Sequence, residues 1–152
     1  MLKKKITLLF LIFFLNNCGY TPMYSVNNKS NFNFTEINIE GDNELGNFLE
    51  SNLERYNSNE SNKEIILDIN INYEKLSQTK DLTGATTDYL LVAEVTFNVL
   101  QNNKESEITI KKDFIMKDID KEFEERNYER TIKQNFAYSI INKLILKLSK
   151  NR

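Results

Sequence analysis

The stretch "IILDININY", residues 65–73, alternates apolar and polar side chains from Leu67 onward. Such alternation places the two kinds of side chain on opposite faces of a β-strand, so it predicts a half-buried strand over residues 64–77. The stretch "YLLVAEVTFNV", residues 89–99, has the same period and predicts a second strand over residues 86–101. Its apolar face carries Tyr89, Leu91, Ala93, Val95, Phe97 and Val99. Because Gly84 interrupts the pattern between them, these two strands are expected to be neighbours joined by a short link.

Two shorter segments also alternate. In "FTEINIE", residues 34–40, one predicted face carries Phe34 and Glu36, and the other carries Thr35, Ile37 and Ile39. Residues 105–117 place Ile108, Ile110, Lys112, Phe114 and Met116 on one face. Both patterns have period two and predict strands, which brings the total to four.

Two segments have the helical period instead. Apolar residues recur at spacings of three and four over residues 44–57 and again toward the end of residues 127–149, so each predicts an amphipathic helix. Gly46 weakens the first helix, and we interpret it as allowing close approach to a sheet. The residues expected to cover the sheet are Leu45, Phe48, Leu49 and Leu53 from the first helix and Phe136, Ile140 and Leu144 from the second.

The predicted element order is β-α-β-β-β-α. A strand–helix–strand unit favours parallel pairing of the first two strands through a right-handed crossover, and short links favour an antiparallel meander for the rest. Two one-sided helices and a sheet with one apolar face are typical of a two-layer α+β sandwich. The sequence therefore predicts a four-stranded mixed sheet with both helices on one face.

The N-terminal segment is typical of an exported protein. Three lysines precede an apolar run of 10 residues, Ile6–Leu15, which is too short to span a bilayer and is typical of a signal peptide. The chain's only cysteine follows in "LNNC", residues 15–18, which resembles the lipobox of bacterial lipoproteins, although that motif usually has small residues at the two Asn positions. We therefore predict a signal peptide over residues 1–17 and acylation of Cys18. An ordinary signal peptide with a chance cysteine is the alternative.

Cleavage before Cys18 would leave residues 18–152 as the mature protein. It would carry 17 basic and 22 acidic residues, a net charge of −5, which excludes a generally basic nucleic-acid binder. Residues 18–33 are predicted to form the lipidated N-terminus and a polar tether, and residues 34–152 a single domain. Gly19 is compatible with sorting to the outer membrane, since Asp at that position signals retention in the inner membrane.

The residue types that most active sites need are missing. The chain has no histidine, and its single cysteine is assigned to the lipid, so no His/Cys metal cluster and no Ser–His or Cys–His nucleophile pair can form. No glycine-rich phosphate loop occurs. We expect a protein that is not an enzyme and needs no cofactor or metal, although a site built from carboxylates alone stays open.

Two motifs in this order of elements resemble the LptE family of lipopolysaccharide-assembly lipoproteins. The first is "CGYTPMY", residues 18–24, and the second is "GATTDY", residues 84–89, which resembles the start of the family's third strand at Gly84, Thr86 and Tyr89. The resemblance implies an outer-membrane lipoprotein on the periplasmic side. It also implies a partner, the LptD β-barrel, in whose lumen the domain acts as a plug, and lipopolysaccharide as a ligand.

The resemblance also implies site residues. Some family members carry a basic residue before the glycine of the loop between the second and third strands, and another before the last helix. Here the first aligned position is Leu82, so Lys80 is the nearest substitute, and Arg126 is nearest to the second. We expect Lys80 and Arg126 to bind lipopolysaccharide. The loop residues expected to meet the partner are Thr83, Gly84, Thr86 and Thr87.

Two alternatives remain at this point. The chain could be another lipid-anchored periplasmic module, such as the lipoprotein component of a lipid-trafficking transporter, or a lipid-anchored enzyme that uses carboxylates. The predicted polar sheet face, with Asp68, Asn70, Glu94 and Thr96, would suit hydrogen bonding to a polar barrel wall, but an ordinary solvated face would have the same composition.

Overall fold

The computed structural model describes residues 32–58 and 64–150. The predicted signal peptide, Cys18 and residues 18–31 of the predicted tether lie outside the described residues. The strands are β1 (Asn33–Gly41), β2 (Glu64–Lys80), β3 (Thr86–Gln101) and β4 (Lys104–Lys117), and the helices are α1 (Asn43–Glu54) and α2 (Glu122–Lys150). Their order is the predicted β-α-β-β-β-α, so the fold class is confirmed.

The four strands form one sheet in the order β1-β2-β3-β4. β1 pairs with β2 in parallel, while β2–β3 and β3–β4 are antiparallel, as the connection lengths predict. α1 provides the crossover between the parallel strands. Both helices cover the same face of the sheet, the inner face, which leaves the opposite outer face without a helix.

One predicted strand face is wrong. Phe34 was expected on the polar face of β1 with Glu36, but it is buried in the core with Phe32, 5.9 Å away between ring centroids. The reason is an irregularity between Phe34 and Glu36, where Thr35 is left unpaired against β2. An extra residue of this kind flips the following side chains, so Phe34, Ile37 and Ile39 come to share the inner face. Phe32 and Asn33, assigned above to the tether, are therefore part of the domain's core and first strand.

The core forms where alternate residues of the strands meet the apolar stripes of the helices. Its fully buried members include Leu45, Leu49, Leu53, Leu67, Leu91, Val95, Phe97, Ile140, Ile141 and Leu144. Gly46 is buried against β1, where a Cβ would lie 3.0 Å from Ile39 Cγ2, which confirms that the glycine allows close approach to the sheet. The predicted packing of the helices through Leu45, Leu49, Phe136 and Ile140 is confirmed.

Both helices differ from prediction at one end. α1 ends at Glu54, three residues early, and Tyr56 instead donates its hydroxyl to Asn142 Oδ1 of α2 at 2.8 Å. α2 begins at Glu122, five residues before the predicted start. The acidic side chains of its first turn interact favourably with the positive end of the helix dipole. This turn lacks the apolar residues at helical spacing that mark the rest of the helix.

Candidate functional site

The loop between β2 and β3 is a hairpin tip with many internal hydrogen bonds. Lys80 and Thr86 form its last strand pair, and Asp81 N donates to Ala85 O at 2.9 Å. The Asp81 carboxylate accepts from Thr83 N at 2.8 Å, Thr83 Oγ1 at 2.6 Å and Ala85 N at 3.0 Å. These bonds, the Thr83 hydroxyl foremost, lower the pKa of Asp81. The carboxylate of Asp81 is thus committed to the loop's own backbone, a role that the sequence analysis missed although Asp in a turn commonly plays it.

Gly84 has the backbone conformation that this turn needs. Its φ is +87°, in the left-handed region, and its N–H donates to Asp81 O at 3.1 Å to close the turn. A side chain here would meet no atom within 4 Å, so the constraint on this position is the backbone angle alone.

The three threonines predicted to meet a partner all bond within the hairpin. Thr83 bonds to Asp81, the Thr86 hydroxyl lies 2.8 Å from Ser77 Oγ, and Thr87 Oγ1 donates to Asp88 Oδ2 at 3.1 Å. In addition, Thr87 O accepts from Asp118 N at 2.9 Å, which joins the hairpin to the segment before α2. These hydroxyls therefore shape the tip through bonds within the hairpin.

The most exposed apolar side chain of the described residues is Leu82, at the apex of this hairpin, with 107% relative exposure. Other exposed apolar residues lie toward the same end of the domain, on the strands and at the start of α2: Leu76, Phe114, Ile115, Phe123 and Tyr128. Lys80, next to the turn, is exposed as well. The hairpin end thus combines a cation with apolar side chains. The turn sequence "DLTG", residues 81–84, is the feature of the sequence that indicates a leucine within this loop.

Arg126 lies in the second turn of α2 and not in the hairpin. Its side chain is largely exposed and pairs with Glu122 at 3.4 Å, one turn earlier on the same helix. Among the described contacts, none joins Arg126 to Lys80. The structure thus brings Lys80, Thr83, Gly84 and Thr86 together but places Arg126 on a separate element.

A polar seam, which the sequence analysis missed, holds the start of α2 to the sheet. Lys75 of β2 forms ion pairs with Glu125 and Glu129, and the Tyr73 hydroxyl donates to Glu129 Oε1 at 2.8 Å. Burial, followed by the bond to Glu129, raises the pKa of Tyr73 far above its ordinary value. Partial burial opposes the charge of Lys75, but its bonds to Glu125 and Glu129 outweigh this effect and raise its pKa.

Lys133 continues the polar seam toward α1. It is the one buried charged residue in the described chain, with 6% exposure, and its Nζ lies 2.9 Å from Asp42 Oδ2 and 3.3 Å from Glu44 Oε2. The same ammonium lies 4.2 Å from the Tyr73 ring centroid. Asp42 also caps α1 by accepting from Leu45 N at 2.8 Å. Lys133 thereby ties both helices to β2 around one cation.

Six rows that run across the strands make up most of the outer face of the sheet. The first row is Ile66–Leu100–Glu105 and the sixth is Leu76–Leu90–Ile115, with Glu36, Asn38 and Glu40 added from β1, and beyond the sixth row Asp88 of β3 pairs with Lys117 of β4. Eight carboxylates lie in these rows: Glu36, Glu40, Asp68, Glu74, Glu94, Glu105, Glu107 and Asp113. A shallow depression at the first two rows is lined by Ile66, Asp68, Asn98, Val99, Leu100, Glu105, Ser106 and Glu107.

Within residues 32–58 and 64–150, no group of three or more His, Cys, Asp or Glu side chains is arranged to hold a metal ion. In the same part of the chain, no helix combines the length and hydropathy that a membrane-spanning helix requires.

Solved structures share this fold. The rare lipoprotein B from Shewanella oneidensis has a TM-score of 0.57 at 14% identity, covering 76% of this chain and 95% of its own. The minor lipoprotein from Acinetobacter baumannii has a TM-score of 0.50 at 17% identity, covering 75% and 94%. No protein-family model matches the sequence, and comparison with curated proteins finds no match. The chain therefore shares its fold with bacterial lipoproteins.

Proposed function

We propose that this protein is a lipid-anchored component of the outer-membrane machinery that transports and assembles lipopolysaccharide. In this role it is the partner and plug of an LptD-like β-barrel, it binds lipopolysaccharide, and it catalyses no reaction. One observation carries the proposal: a β-α-β-β-β-α domain with the fold of bacterial lipoproteins follows a lipobox-like Cys18 by fewer than 20 residues.

The anchor in this proposal is Cys18. Diacylglycerol on its thiol and a third chain on its new amine would hold the domain on the membrane, whereas one acyl chain binds only marginally. Mass spectrometry of the protein extracted from membranes should then find a lipid-bearing peptide that begins at Cys18. A mature N-terminus elsewhere with a free thiol would contradict the anchor and favour an ordinary signal peptide.

The ligand in this proposal meets the hairpin end. Lipopolysaccharide presents phosphates and acyl chains, which call for a cation next to apolar surface. Lys80 supplies the cation and Leu82 the apolar contact, and the turn that holds them is braced by Asp81 and Gly84. Because a rigid scaffold commonly presents binding residues on a loop, this tip is the natural place for the contact.

The test is to purify the full-length tagged chain from detergent-solubilised outer membranes and to identify what accompanies it. We expect a large LptD-like barrel in near-stoichiometric amount. Recovery of a lipid-transporter complex instead would favour the alternative, a lipoprotein component of a lipid-trafficking transporter. Recovery of neither would contradict the barrel partnership.

A further inference from the structure

The net charge of the described domain is concentrated on one surface. The described residues include 21 acidic and 14 basic side chains. The six rows of the outer face contain eight of the acidic residues and one of the basic residues, Lys111, so the rest of the described chain carries 13 of each. The outer face is therefore strongly negative while the remaining surface is balanced.

Neighbouring side chains neutralise little of this charge. Lys111 pairs with Glu94 at 3.6 Å, and both side chains are well exposed, so the pair is weak. Asn38 Nδ2 donates to Asp68 Oδ1 at 2.9 Å, and Asn72 Nδ2 donates to Glu74 Oε1 at 3.3 Å, but amides add no charge. Soluble surfaces usually intersperse the two signs, which makes this face unusual. A partner that covered this face would have to supply the balancing cations.

The sixth row of the outer face, near the β2–β3 hairpin, is apolar. Leu76 and Ile115 are 46% and 55% exposed and flank Leu90, while Val92 lies in the row before. Protein interfaces combine such apolar anchors with a polar surround, and the anchors carry most of the binding energy. The Asn and Thr side chains of the middle rows, such as the Thr96–Thr109 pair at 3.0 Å, provide neutral hydrogen-bonding groups between them.

The outer face also has the size of a protein interface. Its rows run from Leu90 to Leu100 of β3, which is about 34 Å at 3.4 Å per residue, and its four strands span about 15–20 Å. The flat area is on the order of 500–700 Å², close to the roughly 800 Å² that each partner buries in a standard interface.

We infer that the outer face docks on the wall of the LptD-like barrel and that the contacting part of this wall carries Lys and Arg side chains. The inference rests on the proposed function, and it adds which face of the domain meets the barrel and the charge that the barrel must present. A negative face repels the phosphates of lipopolysaccharide, so the ligand contact stays at the hairpin tip. Complementary charge would also speed association, most of all at low salt.

The experiment co-expresses the full-length tagged chain with the LptD-like barrel of the same organism and measures the barrel recovered from solubilised membranes at 0.05, 0.15 and 0.5 M NaCl. The test variant combines Asp68→Lys and Glu107→Lys, which lie in one row of the outer face on either side of Asn98. The control combines Glu50→Lys and Glu54→Lys on the exposed side of α1. Both variants change the net charge by the same amount.

Barrel recovery should fall at least tenfold for the outer-face variant at 0.05 M NaCl and less than twofold for the control, with the gap narrowing as salt rises. A second arm changes no charge: Ile115→Ser on the outer face should reduce recovery, while Leu146→Ser, similarly exposed on α2, should not. Circular dichroism of each variant shows whether the variant folds. If one outer-face variant does not fold, the other decides the test.

Three other outcomes overturn the inference. Equal barrel recovery from the outer-face variants and the parent would refute the outer face as the docking surface. It would leave the partnership with the barrel unaffected. Equal losses from the outer-face and control variants would mean that net charge, and not this surface, governs association. If the parent recovers no barrel, the proposed function fails and this inference fails with it.

Discussion

The two faces of the sheet use the same four strands in opposite ways. The inner face presents mainly apolar side chains to α1 and α2, and the one buried charged residue of the described chain, Lys133 of α2, is paired with Asp42 and Glu44. The outer face presents carboxylates, amides and threonines to the surroundings, with one apolar row at the hairpin end. The inner face is covered by the domain's own helices, while the outer face carries negative charge that the domain's own cations do not balance.

Substitutions on the two faces are therefore expected to affect stability differently. Burial of an apolar side chain contributes about 1.5–3 kcal/mol, so substitutions on the inner face should be costly. Exposed charges contribute much less, so substitutions on the outer face should change binding while leaving the fold intact. Each prediction below tests one side of this contrast.

The largest loss of stability is expected from Phe136→Ala, on the side of α2 that packs against the inner face of the sheet. The phenylalanine is 6% exposed, so its removal should lower the free energy of unfolding by about 3–5 kcal/mol, measured by urea denaturation. Tyr138→Ala on the same helix, where the ring is 44% exposed, is the control and should cost about 1 kcal/mol or less. A loss below about 1 kcal/mol for Phe136→Ala would show that this helix face is not a core.

Lys133→Ala should cost less, about 1–3 kcal/mol, because it removes the cation that pairs with the Asp42 carboxylate, while Glu44 retains Arg130 at 3.6 Å. Both carboxylates retain some contact with solvent, which keeps the cost below that of a fully buried pair. Lys147→Ala, at an exposed position of α2, should change the same measurement by less than about 0.5 kcal/mol. Equal effects would mean that the buried cation stabilises nothing.

Alkaline pH should weaken the polar seam. The pKa of Tyr73 is raised in the folded state, so the folded protein retains this proton when the unfolded chain loses it, and the stabilisation is complete below about pH 10 and declines above it. The decline reaches at most about 1.4 kcal/mol per pH unit. Tyr73→Phe should reduce the slope of unfolding free energy between pH 9 and 11.

The matching control for this slope is Tyr138→Phe, which removes a hydroxyl from the exposed surface of α2. Its pH slope gives the change that loss of a surface hydroxyl produces, and the change in Tyr73→Phe should be larger. Identical slopes in all three proteins would rule out a contribution of the Tyr73 hydroxyl to stability in this range.

Neutralising carboxylates of the outer face should hardly change stability. Glu74→Gln combined with Asp113→Asn removes two charges that flank Val92, and the free energy of unfolding should stay within about 0.5 kcal/mol of the parent, with any gain largest at low salt. A decrease in the free energy of unfolding above about 2 kcal/mol, measured by denaturant titration, would mean that these carboxylates stabilise the fold.

Lys80→Asp should have the smallest effect on stability and a clear effect on ligand binding. Since Lys80 is exposed at the hairpin tip, the melting temperature should be nearly unchanged, while binding of lipopolysaccharide to the purified full chain should weaken, most of all at low ionic strength. Lys104→Asp, at the opposite hairpin, is the control and should bind like the parent. Parental binding by Lys80→Asp would direct the search to Arg126.

Periodicity was sufficient for most of the fold. The alternation in residues 65–73 and 89–99 reports directly which side chains face the core, because successive side chains of a strand point to opposite faces. It did not report the break in β1, where the irregularity beside Thr35 reverses the face of Phe34. Periodicity also did not predict the first turn of α2. Polar contacts hold this turn, and its sequence has no apolar residues at helical spacing.

For the candidate site, local motifs were informative and distant contacts were not. The break that Gly84 predicts between the two long strands is a turn in which this glycine has a positive φ, but the use of Asp81 as the internal brace required knowledge of the loop geometry. The polar seam joins Lys75, Glu129 and Lys133 from elements more than 50 residues apart. No local pattern announces such a cluster.

The sequence by itself determined the order of the elements, the apolar faces of the two long strands and the polar character of the outer face, because these depend on neighbours along the chain. Only the tertiary structure decided that eight carboxylates from four strands share one surface and that Lys133 is buried between two helices. Such groupings depend on strand register and helix placement, which are set by packing between residues far apart in sequence.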